Sequence, residues 1–210
     1  DFSKIEAGKI DLEQRPFALA AMIEDITELL APRAQARKLE IASYVDERLP
    51  QEVLGDAARL RQVLLNLAGN AIKFTQSGGV ALIVEPGIWP GEVAFIVRDT
   101  GIGIAPEAQQ RIFREFEQAS EGTARNYGGT GLGLSISDRI VRRMGGRIVL
   151  ESAEGQGATF EFSIPLAAAN VSDAPAFPAP DLTGKSVMLA APQSIEASLI
   201  ARRLERWGAQ

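Results

Sequence analysis

The chain of 210 residues contains neither cysteine nor histidine. Without cysteine it has no disulfide, no thiol nucleophile and no cysteine-ligated zinc site. Without histidine, the Ser-His-Asp triad, histidine-ligated metals and histidine general bases are excluded together. A metal ion bound to this chain must therefore be a hard cation with oxygen ligands, such as Mg²⁺.

Long hydrophobic runs and a basic surplus are also missing. No stretch reaches the roughly 18 apolar residues that a membrane span needs, and no charged-then-apolar segment opens the chain as a signal peptide would. The net charge of −5 argues against a nucleic-acid binder. With 46% hydrophobic and 23% charged residues, the composition is that of a globular domain without nucleic-acid or membrane contact.

The composition changes along the chain and predicts a division into four parts. The chain opens at Asp1 in the middle of a polar pattern, which is typical of a fragment of a longer protein. Residues 1–14 are too short to fold alone, and residues 15–166 alternate between helical and strand patterns. Residues 167–182 form an Ala/Pro-rich linker, and a further unit begins at residue 183.

Hydrophobic periodicity predicts an α/β fold for the main part: a mixed five-stranded sheet with about three helices on one face. Pro32 is expected to kink or end the first helix, and Asp56 is placed to cap the second. The predicted helices are Leu19–Leu30, Ala57–Phe74 and Leu132–Met144, with a short helical stretch at Arg111–Glu117; the predicted strands are Leu39–Val45, Val80–Glu85, Val93–Asp99, Arg147–Ser152 and Ala158–Ile164.

Two carboxamides and an ammonium group share one face of the second helix. Asn66, Asn70 and Lys73 are spaced i, i+4 and i+7, away from the apolar face. A carboxamide oxygen is a neutral hard ligand for Mg²⁺, and lysine supplies a positive charge to phosphate oxygens. The column therefore suits a metal–phosphate complex, although a solvated helix face is the commoner explanation for such a column taken alone.

Two glycine-containing motifs follow. Asp99 ends an apolar strand and precedes Gly101-Ile102-Gly103, where a carboxylate acceptor beside backbone without side chains suits an exocyclic amine such as that of adenine; a tight turn is the alternative. Residues 128–134 (GGTGLGL) lead into the third helix, whose N-terminal amides suit phosphate; a flexible hinge is the alternative. Between them, residues 105–127 have the length of a lid, with Phe113, Phe116 and Arg125 as candidate contacts.

In this order the motifs resemble those of sensor histidine kinases. Residues 55–75 resemble the N box, DTGIGI the first Gly box, IFREFEQ (Ile112 to Gln118) the Phe box, and GGTGLGLSIS (Gly128 to Ser137) the second Gly box. Residues 157–160 and 164–166 are similar to the closing strand, and residues 1–10 resemble the tail of the dimerisation hairpin. The resemblance implies the Bergerat ATP-binding fold and a cytoplasmic catalytic domain, in a parent protein that can be membrane-anchored.

The resemblance also assigns roles to individual residues. It implies Asn70 as the Mg²⁺ ligand, Asn66 and Lys73 as catalytic residues on the phosphate side, and Asp99 as the contact to the adenine amine, directly and through water. The remaining residues that it places at ATP are Gly101, Gly103, Ile104, Gly129, Thr130, Gly131, Leu132, Gly133, Leu134 and Thr159.

The implied reaction transfers the γ-phosphoryl group of ATP to a histidine on a dimerisation hairpin. Since the chain has no histidine, we expect that acceptor upstream of Asp1, in a full-length homodimer, with relay to a response regulator or receiver domain. Residues 183–210 resemble the first strand and helix of a receiver, with Ala191 and Pro192 where receivers carry an acidic pair; an unrelated βα unit is the alternative.

Three rival functions remain. ATP-hydrolysing members of the fold superfamily carry a glutamate general base where this chain has Asn66, and an amide is too weakly basic for that role. A nucleotide-binding interaction module without catalysis is the second rival. A serine-directed protein kinase of the same superfamily is the third, and the hairpin tail and receiver start argue against it.

Overall fold

The computed structural model describes residues 12–114, 131–169, 179–191 and 194–210. Strands and helices alternate along the chain. No helix in those ranges is both long and apolar enough to cross a membrane. In chain order the elements are β1 (Arg15–Ala18), α1 (Leu19–Ala36), β2 (Glu40–Val45), β3 (Glu52–Gly55), α2 (Ala57–Phe74), β4 (Gly79–Pro86), β5 (Glu92–Asp99), α3 (Pro106–Gln109), α4 (Gly133–Arg143), β6 (Ile148–Ser152), β7 (Ala158–Pro165) and α5 (Ser194–Arg206).

Five strands form one mixed sheet in the order β2-β4-β5-β7-β6. The β2–β4 pair is parallel, and the other three pairs are antiparallel. This confirms the sequence-based prediction of a mixed five-stranded sheet. Separately, β1 and β3 form a short antiparallel ribbon.

The main core lies between the sheet and the helices α1, α2 and α4. One buried cluster contains side chains of all three helices together with those of the strands facing them, which confirms the prediction of three helices on one face. The apolar face predicted for α2 is buried, and the Asp56 carboxylate caps this helix by accepting a 2.9 Å hydrogen bond from the Arg59 amide. The buried α2 residues include Leu60, Val63, Leu64, Leu67 and Ala71.

The opposite, outer face of the sheet is covered in part by α5. Ile195 and Leu199 of this helix pack against Tyr44, Ala81 and Ile83. Polar contacts surround that cluster: Glu40 accepts hydrogen bonds from the Ile195 and Glu196 amides, Arg98 donates to Ser198, and Arg206 pairs with Asp46 and Glu47. The helix that the sequence places in a separate unit is thus packed on the five-stranded sheet.

Several predicted boundaries change in the structure. Helix α1 continues through Pro32 to Ala36, and Ala34, beyond the proline, is fully buried. The short helix lies at Pro106–Gln109, with proline at its first turn, whereas 111–114 form turns and a bend; the rest of the predicted stretch, 115–117, lies outside the described residues.

The C-terminal part also differs from its prediction. Residues 187–190 form no strand in the described structure. The Val187 amide donates a 3.0 Å hydrogen bond to the Gln210 carbonyl, but a strand needs a ladder of such bonds along a neighbouring strand. The linker begins later than residue 167, because Ala167 and Ala169 hydrogen-bond to the β3 backbone and Ala168 bridges Val53. Residues 170–178 lie outside the described residues, as do residues 1–11 of the predicted hairpin tail.

Candidate functional site

The carboxamide column of α2 is half-buried and faces α4. The Asn66 side-chain nitrogen, Nδ2, donates a 2.9 Å hydrogen bond to the Ser137 hydroxyl of α4. One and two turns further along, Asn70 and Lys73 are also half-buried, and the Lys73 ammonium lies 4.8 Å from the centroid of the Phe74 ring. Asn66 therefore lies in the interface between α2 and α4, and the other two side chains of the column are partly exposed beyond it.

Asp99 ends β5 with a side chain that is almost fully buried. Its Oδ1 atom accepts hydrogen bonds from the Gly101 amide at 2.8 Å and the Ala158 amide at 3.3 Å. Burial raises the pKa of the Asp99 carboxyl group above its ordinary value, and the two amide bonds only partly oppose that effect. Because both bonds fall on Oδ1, Oδ2 is the carboxylate oxygen left to accept from a ligand amine.

The Asp99 turn lies against the C-terminal end of α2. The Ile102 amide donates to the Phe74 carbonyl at 3.3 Å, and a Cβ on Gly101 would lie 2.6 Å from that same oxygen. Glycine is thus required for the turn to approach the helix so closely. Since Asn70 lies one turn before Phe74, the carboxamide column and the aspartate belong to one region of the molecule.

Ile104, at the start of the predicted lid, is held by side chains that the sequence did not single out. Its amide donates to the Ser152 hydroxyl at 2.9 Å, and its carbonyl accepts from the Gln109 amide nitrogen at 3.0 Å. Phe113 packs edge-to-face on Phe160, with 6.4 Å between ring centroids, as a lid anchor would. The other predicted lid contacts, Phe116 and Arg125, lie outside the described residues.

The second glycine motif ends at the start of α4. Gly131 has a φ of 70°, Leu132 is the N-cap residue without a side-chain cap, and Gly133 begins the helix. First-turn amides have no acceptor within their own helix, and the helix dipole adds a partial positive charge there. These amides, including that of Leu134, are suited to phosphate; Gly129 and Thr130 lie outside the described residues.

Thr159 is not brought to this site. It pairs with Arg98 across the sheet, so both side chains lie on the same face, and Arg98 reaches Ser198 of α5 on the outer face. Asp99, the next residue along β5, lies on the opposite, helix-bearing face. The β7 residue that contacts Asp99 is Ala158, through its amide.

The residues present fit a magnesium ion bound mainly by its nucleotide. No group of three or more acidic, histidine or cysteine side chains is assembled anywhere in the described ranges. Mg²⁺ commonly keeps several waters and takes one or two protein ligands together with substrate phosphates. The half-buried carboxamides beside the α4 N-terminus provide oxygen donors for such a coordination.

Comparison with known proteins places this arrangement in a family. The model described as histidine kinase-, DNA gyrase B-, and HSP90-like ATPase matches residues 55–168. The chain is 38% identical, over 99% of its length, to the sensor histidine kinase GacS of Pseudomonas protegens, covering 23% of that protein. It is 42% identical over 79% of its length to the signal transduction histidine-protein kinase BarA of Escherichia coli, covering 18%. The chain thus spans about a quarter or less of these curated relatives.

Solved structures agree with this assignment. Full-length ShkA in complex with AMPPNP matches all of this chain with a TM-score of 0.83 at 41% identity, and the chain covers 42% of that protein. The catalytic domain of histidine kinase ThkA matches 73% of this chain with a TM-score of 0.61 at 30% identity, and 95% of that domain is covered. The chain belongs to the histidine kinase-, DNA gyrase B- and HSP90-like ATPase family and contains the ATP-binding domain of a sensor histidine kinase.

Proposed function

We propose that the chain binds magnesium–ATP between α2, the Asp99 turn and the start of α4, and transfers the γ-phosphoryl group to a histidine outside the chain. The observation that carries this proposal is that α2 contacts both α4 and the Asp99 turn. Asn66 is bonded to Ser137 of α4, while the helix end at Phe74 contacts the Asp99 turn. Adenine is recognised at Asp99, and the phosphates lie toward Asn70, Lys73 and the α4 amides.

Phosphoryl transfer requires positioning and charge neutralisation more than covalent chemistry from the protein. Lys73 supplies a positive charge, and the first-turn amides of α4 supply hydrogen-bond donors. When bound, Mg²⁺ neutralises phosphate charge and orients the γ-phosphoryl group. Because the chain has no histidine, the phosphate acceptor is a histidine on a dimerisation hairpin outside this chain, and a response regulator or receiver domain is the subsequent acceptor.

Transfer is favoured over hydrolysis by the residue at position 66. A hydrolysing enzyme needs a general base that takes a proton from water, and the Asn66 carboxamide is not basic. Its Nδ2 atom is moreover already engaged with Ser137. ShkA was solved in complex with AMPPNP, and by similarity this supports ATP as the nucleotide of this chain.

A phosphorylation assay with two proteins tests the proposal. The chain is incubated with ATP labelled in the γ-phosphate, alone and together with the histidine-bearing dimerisation hairpin of its own full-length protein. We expect acid-labile label on the hairpin and none on the chain. The Asn70→Ala variant should abolish labelling, whereas Asp25→Asn, on the exposed face of α1, should not.

Two results would contradict the proposal. Steady release of inorganic phosphate by the chain alone, lost in Asn66→Ala, would indicate a hydrolase. Tight ATP binding with no label on a folded hairpin would indicate an interaction module that uses nucleotide only as a ligand.

A further inference from the structure

The Asn66 side chain is held at both ends by the first two turns of α4. Its Nδ2 atom donates to the Ser137 hydroxyl oxygen at 2.9 Å, and Ser137 is only 2% exposed. On the other side, Gly133 leaves no room for a side chain: a Cβ added there would lie 2.3 Å from the Asn66 Oδ1 atom. The carboxamide therefore fits a slot formed by a glycine and a serine one helical turn apart.

In this slot the oxygen of the carboxamide, rather than its nitrogen, faces the first turn of α4. With Nδ2 engaged by Ser137, Oδ1 is the atom at Gly133, where the proposed phosphate-binding amides begin. An amide oxygen accepts hydrogen bonds and ligates cations, but it cannot bond to a phosphate oxygen, which is also an acceptor. In this orientation Asn66 reaches a phosphate oxygen only through a cation or a donor group between them.

We propose that Ser137 is a positioning residue of the ATP site, which holds the Asn66 carboxamide with Oδ1 turned toward the phosphate end. The inference rests on the proposed function and extends it, because it assigns Asn66 to the cation rather than directly to phosphate oxygens. The neighbouring buried serine, Ser135, does not share this role, since its hydroxyl donates to the Leu132 carbonyl within its own segment.

A purely structural hydrogen bond and a positioning contact predict different binding data. If Ser137 only stabilised the α2–α4 packing, its loss would weaken all nucleotides alike. If it orients Asn66, its loss weakens ligands that carry the cation and the outer phosphates. AMP, which retains the adenine that Asp99 recognises, should then bind unchanged.

The test measures displacement of a fluorescent ATP analogue from the whole chain by ATP and by AMP, with Mg²⁺ and with a chelator. We expect Ser137→Ala to weaken magnesium–ATP by about three- to tenfold, the value of one lost hydrogen bond. AMP affinity should stay within about twofold, as should ATP affinity in the chelator. Ser137→Thr keeps the hydroxyl and should restore ATP affinity wherever thermal melting shows a folded protein.

Two controls complete the design. In the Asn66→Ala background, Ser137→Ala should have no further effect on magnesium–ATP, because coupled residues are non-additive. Ser198→Ala is the matched variant, since it removes a side-chain hydrogen bond between α5 and β5 on the outer face and should change neither nucleotide.

Equal weakening of ATP and AMP, or an additive effect in the Asn66→Ala background, would overturn the positioning role. Failure of the proposed function is distinguishable: without the ATP site the wild-type chain would not bind ATP in this assay, and a failure of phosphoryl transfer alone would appear in the labelling assay and not here.

Discussion

At the scale of single residues, Asp99 shows the clearest conflict between the stability of the fold and the nucleotide-binding role proposed for it. Its carboxyl group is buried without a cationic partner among the described residues, so its pKa lies above the ordinary value of 3.8. The folded protein therefore binds a proton there more tightly than the unfolded chain does. In the absence of nucleotide, the free energy of unfolding should fall as pH rises from the ordinary carboxyl pKa through the raised pKa of Asp99. The ionised Asp99 side chain therefore destabilises the folded protein at neutral pH.

Asp99→Asn tests this conflict directly. The asparagine Oδ1 can still accept from the Gly101 and Ala158 amides, so the fold is kept, and removal of the buried charge should leave the nucleotide-free protein at least as stable at pH 7. Its Nδ2 group would face the adenine amine as a second donor, and we expect a loss of ATP affinity of about ten- to hundredfold. Urea unfolding and titration calorimetry measure the two effects.

The control for this variant is Asp25→Asn, on a carboxylate that is 60% exposed in its pair with Arg61 and should not affect binding. The wild-type affinity for ATP should also fall as the pH drops through the raised pKa of Asp99, and this decrease should be absent in Asp99→Asn. Unchanged ATP affinity in that variant would remove Asp99 from the site.

Residue chemistry predicts part of the site from sequence and misses another part for a definite reason. Asn66 and Asp99 stand out because a helical spacing and a strand end are visible locally. Ser137 and Ser152 act through partners that are distant in the chain: the Asn66–Ser137 bond joins residues 71 positions apart. A periodic pattern contains no information about such a pairing.

At the scale of elements, the turn between β6 and β7 connects the sheet to the Asp99 turn. Gly155 and Gly157 both have positive φ values, 76° and 77°. Their surroundings differ: a Cβ on Gly157 would lie 2.0 Å from the Asp99 carbonyl oxygen, whereas a Cβ on Gly155 would meet nothing within 4 Å. A side chain at Gly155 would therefore introduce backbone strain alone, whereas one at Gly157 would add a steric clash to the same strain.

Comparison of the variants Gly155→Ala and Gly157→Ala measures the two effects. Gly155→Ala should cost about 1–2 kcal/mol in the free energy of unfolding, from the left-handed conformation alone. Gly157→Ala should cost clearly more and should weaken ATP binding, because the Asp99 turn must move. Equal costs in urea unfolding would show that the turn does not press on Asp99.

Elements are predictable where local signals agree and unpredictable where packing decides. Helix α2 has its predicted bounds because Asp56 caps it and its apolar face is continuous. Strands β1 and β3 were not predicted, because each has only four residues and pairs with a segment that is distant in the chain. Helix α1 extends past Pro32 and buries Ala34 in the core, a contact that local sequence rules do not include.

At the scale of the whole molecule, α5 makes the outer face of the sheet part of the folded unit. Asp46 and Glu47 lie beneath this helix with side chains that are 1% and 12% exposed. Burial tends to raise the pKa of each carboxyl group, but other contacts outweigh it and both pKa values lie below their ordinary range. For Asp46 these are mainly the hydrogen bonds and charge of Arg48, with a smaller effect of Arg206; for Glu47 they are hydrogen bonds from the backbone and Trp207 together with Arg206. Their contribution to stability is present above the ordinary carboxyl pKa and is lost as pH falls through the lowered one.

Arg206→Ala tests how strongly α5 is bound. It removes a partner from two buried carboxylates and should cost about 1–3 kcal/mol in the free energy of unfolding at pH 7, with a smaller cost at acid pH. Arg202→Ala is the control, because its pair with Glu85 is more exposed than that of Arg206, with side chains 45% and 23% exposed, and should be worth about 1 kcal/mol. If the two variants lose equal stability, α5 is only loosely held.

The overall sheet composition follows from the sequence, but the position of α5 does not. Alternating apolar patterns reveal which segments are strands, while strand order and the helix on the outer face depend on contacts between distant residues such as Glu40 and Ile195. The assignment of residues 183–210 as the beginning of a receiver-like domain remains a prediction. The structure adds that the helix of this segment, α5, is packed on the sheet of the ATP-binding domain.

The most direct test of the central claim is titration calorimetry of the chain with ATP in the presence of Mg²⁺. The claim is that α2, the Asp99 turn and the start of α4 form one nucleotide site. It predicts one ATP per chain, with binding strongly reduced in both Asn70→Ala and Asp99→Asn although both variants melt as folded proteins. The absence of binding heat over a range of temperatures with a folded wild-type sample, or full ATP affinity in either variant, would contradict it.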